Sequence, residues 1–197
     1  MGLKELVESM NGRPELTRHP KGRPFEMNFP IIQERVFFKD GLDRELVYII
    51  RVSGDTQRRK TNVKANMTDW FMQKHHPQFQ TVGDKAISIA RKNSPHDIGM
   101  ELFDCWGVIY QKDEWTKVHD HWPHPWSFVY YVESNEKTPL IFPDAPQGAH
   151  YIYPKTGDMV LFPGWIRHKV PSHEGDSLRI IVAGNLNVNT GMVKLSK

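Results

Sequence analysis

The stretch Trp115-Thr116-Lys117-Val118-His119-Asp120-His121-Trp122-Pro123-His124-Pro125-Trp126-Ser127-Phe128-Val129-Tyr130-Tyr131-Val132-Glu133 decides how this chain folds. Its two ends are rich in β-branched and aromatic residues, which fit a pleated, partly buried surface. Between them Pro123 and Pro125 lack backbone donors and interrupt any hydrogen-bond ladder. The reading is strand, loop, strand, with His119 and His121 closing the first strand. Side chains at i and i+2 of a strand share a face, so the two imidazoles are expected to aim at one point. By the same parity Asp120 faces the other way, unless a local bulge reverses it.

The same texture continues on both sides. Residues 103–110, 115–121, 126–133, 140–142, 150–153, 158–162, 166–170 and 177–186 are short, apolar or aromatic runs separated by Gly, Pro, Asn and Asp. This pattern is that of an antiparallel sandwich or barrel. Before residue 100 the chain reads differently. A short helix is expected over Leu3–Met10, then an extended arm carrying Pro14, Pro20, Pro24 and Pro30. Ile31–Phe38 reads as a strand and Leu42–Val52 as an amphipathic helix or strand. Thr68 is a plausible N-cap for a short helix that stops before Pro77, and Val82–Lys92 has helical spacing at Val82, Ala86, Ile89 and Ala90. The expected fold class is mainly β with flanking helices. It is one domain over 1–197, with 1–100 helical and extended and packed on a β core over 101–190.

At 197 residues the chain can bury roughly 70% of its unfolded surface. Its 39% hydrophobic and 25% charged residues describe an ordinary globular protein, and no run reaches the roughly 18 apolar residues of a membrane span. No secretory signal is expected at the N-terminus. The single cysteine, Cys105, fits a reducing compartment, so the cytoplasm is the expected location. Basic residues gather at Arg13, Arg18, Lys21 and Arg23, and at Arg51, Arg58, Arg59, Lys60 and Lys64. With a net charge of only +3, a solvated surface is the expected role, and nucleic acid is not an expected partner.

The chemistry lies in the β half. A third histidine, His168, follows Gly164 and Trp165 and ends an apolar segment that a returning strand can bring back to His119 and His121. Three imidazoles on one face suit Fe, Zn, Cu or Ni and leave coordination positions open. The competing reading is a set of surface histidines, such as His75 and His76 elsewhere in the chain. Arg179 heads a strongly apolar strand, where a buried guanidinium needs either a structural carboxylate or an anionic ligand such as a dicarboxylate.

Taken together, residues 104–187 resemble the 2-oxoglutarate/Fe(II)-dependent oxygenases, prolyl 4-hydroxylase-like enzymes found in bacteria and in T4-like phages of marine cyanobacteria. The resemblance rests on His119-Asp120-His121-Trp122-Pro123, the Trp126–Val132 strand, Leu140–Asp144, Pro154–Pro171 and Arg179–Asn185. It implies a double-stranded β-helix (jelly-roll, cupin-like) core, with Fe(II), 2-oxoglutarate and O2 as cofactor and cosubstrates. Hydroxylation would release succinate and CO2. By the same resemblance His119, His121 and His168 are the metal ligands. Tyr131 and Arg179 would hold the distal carboxylate of 2-oxoglutarate, and Tyr110 would lie near its metal-binding end. Trp106, Trp122, Trp126 and Trp165 would wall the pocket or fill the core. Most such enzymes carry Asp or Glu where this chain has His121, so the site gains one positive charge, and Asp120 is the candidate to offset it from outside.

Two other readings remain open at this level: a three-histidine cupin-type dioxygenase or isomerase without 2-oxoglutarate, and a non-catalytic jelly-roll binding module. The substrate is unassigned between a peptide, a nucleobase and a small molecule. A homodimer is open, and the location becomes the host cytoplasm if the chain is phage-encoded.

Overall fold

The computed structural model describes residues 30–54, 62–94, 99–145 and 148–189. The expected helix at Leu3–Met10, most of the extended arm, and the basic groups Arg13–Arg23 and Arg58–Lys60 lie outside these residues. The chain runs β1 (Ile32–Arg35), α1 (Leu42–Ser53), β2 (Val63–Lys64), β3 (Asn66–Met67), a single 3-10 turn (Met72–Lys74) and α2 (Pro77–Lys92). It continues through β4 (Met100–Tyr110), β5 (Trp115–His119), β6 (Trp126–Glu133), β7 (Leu140–Phe142), β8 (His150–Ile152), β9 (Asp158–Phe162), β10 (His168–Val170) and β11 (Arg179–Val188).

Leu42–Ser53 resolves as a helix because Leu46, Ile49 and Ile50 fall on one buried stripe at i, i+3 and i+4. Thr68 is not a helix cap. Its hydroxyl accepts from the Gly107 N–H at 2.9 Å and donates to Asp69 O at 3.0 Å, tying the end of β3 to β4. The short helix expected there is accordingly reduced to the 3-10 turn. Pro77 opens α2 at its first position, where a missing N–H costs nothing. No helix among the described residues is long and apolar enough to cross a membrane.

The strands form two antiparallel sheets, a six-stranded one in the order β1-β9-β6-β11-β4-β3 and a five-stranded one in the order β2-β5-β10-β7-β8. They face each other as a double-stranded β-helix. Three strands from before residue 100 take part, since β1 pairs with β9, β3 with β4 and β2 with β5.

The larger sheet is buried on both faces, which explains why its strands read as continuous apolar runs rather than clean alternations. Strand parity sorts the side chains into two cores. Phe128, Tyr130, Met159, Leu161, Ile180 and Val182 face α1 and α2. Val129, Tyr131, Val160, Phe162, Ile181 and Ala183 face the smaller sheet. Each fully buried Leu, Ile or Phe contributes roughly 1.5–3 kcal/mol, so this double burial holds both layers to one sheet. Gly107 lets α1 approach closely, because a Cβ there would lie 2.5 Å from Ile50 Cγ1. Across the sheet, Asp104 Oδ1 accepts from Asn185 N and Nδ2 at 3.1 and 2.8 Å, and Asn185 Oδ1 accepts from Ser127 Oγ at 2.7 Å. This buried polar chain pins β4, β11 and β6 together.

Candidate metal centre

His119 ends β5 directly opposite His168, the first residue of β10. Two positions along the ladder, Val170 pairs with Thr116 rather than with the residue that regular register would supply. β5 therefore carries one extra residue, a bulge. In a regular strand Thr116 and His119 would point to opposite faces. Here both line the same pocket, while Val118 is exposed.

His121 lies beyond the end of the strand, so i,i+2 strand parity does not place it. Its position comes from two loops docked together. The His121 N–H donates to Gly164 O at 2.6 Å, and the His124 N–H donates to His121 O at 3.0 Å. A side chain at Gly164 would collide with His124 O and come within 3.1 Å of His121 O. Glycine is what lets the turn before β10 sit against the turn after β5.

The result is a compact trio of rings. Centroid distances are 4.3 Å for His119–His168, 5.0 Å for His119–His121 and 5.1 Å for His121–His168. One ligand atom from each histidine can be chosen so that all three lie within 4.8 Å of one another. His119 Nδ1 lies 2.8 Å from Lys117 O and His168 Nδ1 lies 3.2 Å from Ile166 O. A carbonyl only accepts, so both Nδ1 atoms carry the proton and both Nε2 lone pairs are free for a metal. Burial pushes all three imidazoles toward the neutral form, and neighbouring histidines add to this for His121 and His168. His119 is lowered, His121 falls to about 3, and His168 lies well below the usual histidine range. The site is thus a set of neutral nitrogen donors, which fits a borderline divalent metal such as iron, nickel or zinc.

The pocket that opens beside the trio offers about 490 Å3 of free space, part of it open to solvent. At its far side stands Arg179, fully buried. Arg179 Nη1 donates to Thr138 O at 2.9 Å and Nη2 to the Tyr131 hydroxyl at 3.1 Å, while Nε has no partner. Among the described residues no carboxylate lies at ion-pair distance, so the structural ion pair considered for Arg179 is not formed. An uncompensated guanidinium in an apolar pocket is expensive unless an anion joins it. The Tyr110 ring packs 5.6 Å from the guanidinium carbon, and its hydroxyl lies 2.6 Å from Thr116 Oγ1. Burial pushes the hydroxyls of Tyr110 and Tyr131 up, against the opposing pull of Arg179, so both are neutral.

Other expected residues are distributed differently. Of the four tryptophans, only Trp106 lines the pocket. Trp126 packs into the core under the helices, and Trp122 and Trp165 are 74% and 40% exposed. Asp120, also past the end of β5, points to solvent and accepts from the Trp122 N–H at 3.1 Å. His124 sits behind the site, with Nδ1 2.7 Å from Asn187 Oδ1 and its ring 4.8 Å from that of Phe103. Sequence reasoning missed Thr116, Thr138 and Gly164. Gly164 carried a signal in its Pro-Gly-Trp turn, but Thr138, which meets Arg179 through its backbone carbonyl, carried none.

The fold and the site are similar to those of the 2-oxoglutarate- and Fe(II)-dependent oxygenases. In particular, residues 104–185 match the family described as "Putative 2OG-Fe(II) oxygenase". The matched segment contains all three histidines, Tyr110, Tyr131 and Arg179. Among solved structures the chain is similar to HygX from Streptomyces hygroscopicus with nickel, 2-oxoglutarate and hygromycin B bound, at 10% identity and a TM-score of 0.64, covering 81% of this chain and 83% of that one. It is also similar to a Pseudomonas putida prolyl-4-hydroxylase, at 18% identity and a TM-score of 0.63, covering 81% and 92%. A viral collagen prolyl hydroxylase from Paramecium bursaria Chlorella virus-1, in its 2-oxoglutarate complex, gives 14% identity and a TM-score of 0.62, covering 81% and 96%. At these identities the likeness is one of fold. No curated protein matches the chain in sequence.

Proposed function

We propose that this chain hydroxylates an organic substrate at the mouth of the 119/121/168 pocket. The region 101–190 would form its catalytic core, and 1–100 would pack on it. His119, His121 and His168 hold the metal through imidazole nitrogens. Arg179 and Tyr131 grip the distal carboxylate of 2-oxoglutarate, and Tyr110, held by Thr116, borders the end nearer the metal. When bound, Fe(II) with 2-oxoglutarate and O2 supplies oxidative decarboxylation to succinate and CO2, coupled to oxygen insertion. The protein's own part is to keep the imidazoles neutral, to orient the dicarboxylate through a fixed guanidinium, and to exclude water with Trp106, Val129, Phe162 and Ile181.

The observation that carries this reading is the pairing of three convergent imidazoles with a buried, uncompensated Arg179 in one cavity. Anaerobic titration with Fe(II) and 2-oxoglutarate tests it. A weak visible chelate band that is lost in Arg179→Ala is expected, and a band that survives the substitution unchanged overturns the assignment. The ligand set, with no carboxylate among the described residues, favours one second reading, a three-histidine dioxygenase that needs no 2-oxoglutarate. Turnover that is independent of 2-oxoglutarate would select it.

Two of the structural relatives are prolyl hydroxylases and one holds hygromycin B, so peptides and small metabolites are the first substrate pools to assay for succinate release. Cys105, unpaired and buried, supports a reducing compartment, and the cytoplasm is the proposed location. A phage origin, and with it a host cytoplasm, rests on the sequence resemblance alone.

A further inference from the structure

Among the described residues, Arg179 carries the only formal charge on a side chain that lines the pocket. Its polar partners, Thr138 O and the Tyr131 hydroxyl, are neutral. The acids nearest the site are committed elsewhere. Asp158 accepts from Arg35 at 2.7 Å, from Gln33 at 2.9 Å and from the Lys155 N–H at 2.8 Å. Glu114 accepts from the Gln111 N–H at 2.7 Å, and Asp120 lies in solvent, holding the Trp122 N–H. A divalent metal on three neutral imidazoles would therefore add two positive charges to a cavity that already holds one. Nothing among its lining side chains would offset them. Opposed charges in such a setting interact far more strongly than in water, and uncompensated ones are penalised equally.

We propose that the metal and the dicarboxylate occupy this pocket as one charge-neutralising unit, each binding weakly without the other, and that His121 sets this coupling. A dicarboxylate dianion cancels the charge that the histidine trio leaves in place. A carboxylate at position 121 would cancel part of it beforehand and leave metal binding less dependent on cosubstrate. Linkage requires reciprocity, so the metal strengthens dicarboxylate binding by the same factor. The inference rests on the reading that the three histidines hold the metal and that Arg179 holds the dicarboxylate. Its consequence is a regulatory one, because 2-oxoglutarate raises the loading of the chain with metal.

Anaerobic equilibrium dialysis of the full chain against Fe(II), and against Mn(II) as a redox-stable probe, with and without saturating 2-oxoglutarate, reads the coupling directly. For the wild-type chain, 2-oxoglutarate is expected to tighten metal binding about 100-fold. His121→Asp should bind metal more tightly by itself and show a coupling below about tenfold. Chelation by the donor oxygens of 2-oxoglutarate is common to both chains, so the difference in coupling reads the charge. Arg179→Gln, which removes the other positive charge, should likewise tighten binding of the metal alone and lose the response to 2-oxoglutarate. Equal metal affinity with and without 2-oxoglutarate in the wild type overturns the coupling and leaves the site assignment standing. The same holds if His121→Asp and Arg179→Gln both keep the wild-type metal-only affinity. No metal uptake by a folded chain under either condition overturns the ligand assignment and the coupling with it.

Discussion

His119 and His168 are direct partners across the β5–β10 ladder, with ring centroids 4.3 Å apart and each Nδ1 set against a backbone carbonyl. The pair forms the rigid half of the centre, and His121 joins it from a loop. His168→Ala is expected to weaken metal binding by more than about 100-fold, beyond the range that changes around a ligand usually produce. Dialysis of this variant, with circular dichroism to verify folding, measures this. Retained wild-type affinity in His168→Ala would remove that residue from the ligand set.

Gly164 holds the loop-borne half in place. A methyl group there must displace the His121–His124 turn, because the nearest atoms are backbone carbonyls that cannot rotate away. Gly164→Ala is expected to cost about 1–3 kcal/mol of stability as an overpacked contact and to lower metal affinity through His121. Denaturant unfolding and metal dialysis on the same variant measure the two effects separately.

Arg179 is positioned from behind. Thr138 accepts from it through its carbonyl, and Thr138 Oγ1 lies 3.1 Å from Nδ1 of the buried His173, whose Nε2 donates to Ser177 O at 2.7 Å. His173→Ala should cost about 1–3 kcal/mol for the groups left unpaired and loosen 2-oxoglutarate about tenfold, as loss of a supporting bond does. Metal affinity without cosubstrate should stay within a factor of about three, because His173 touches none of the three histidines and a small change is all the coupling permits. Calorimetric titration with 2-oxoglutarate tests this, and His173→Gln, which can still donate to Ser177 O, should recover part of the loss.

The metal-free protein should lose stability in mild acid. An unfolded histidine titrates near 6.5, whereas the folded values of His119, His121 and His168 all lie lower, that of His121 at about 3. Below pH 6.5 the unfolded chain therefore binds more protons than the folded one, and stability falls as pH falls. Above that value all three are neutral in both states and the contribution is constant. Asp104 has the opposite sign, since burial raises it above 3.8 and favours its protonated form in the fold. Its contribution is fully present only in stronger acid and is lost as pH rises. Urea midpoints measured from pH 7.5 to pH 5 should fall steadily. A flat profile would contradict the neutral, buried trio.

Much of this protein is written in local patterns. β6, β7 and β9 occupy the bounds that their apolar runs predict, because a strand buried on both faces must be apolar at nearly every position. The identity of the candidate ligands is equally local, since few residues besides His119, His121 and His168 offer neutral lone pairs at that spacing. Elsewhere local signals misled. Thr68 looks like a helix cap because its hydroxyl can bond a nearby N–H, yet the N–H it serves belongs to Gly107 in another strand.

By itself the sequence determined the strands of the β half, the donor chemistry and the need for an anion beside Arg179, but not the short β2 and β3. The tertiary structure decided how these meet. Strand parity would set Thr116 and His119 on opposite faces, and only the pairing of β5 with β10 reveals the bulge that joins them. His121 leaves the strand altogether and is aimed by Gly164, a residue distant in the chain. Parity and propensity act over a few residues, whereas register and loop docking are fixed by hydrogen bonds and close contacts between segments that only the folded chain brings together.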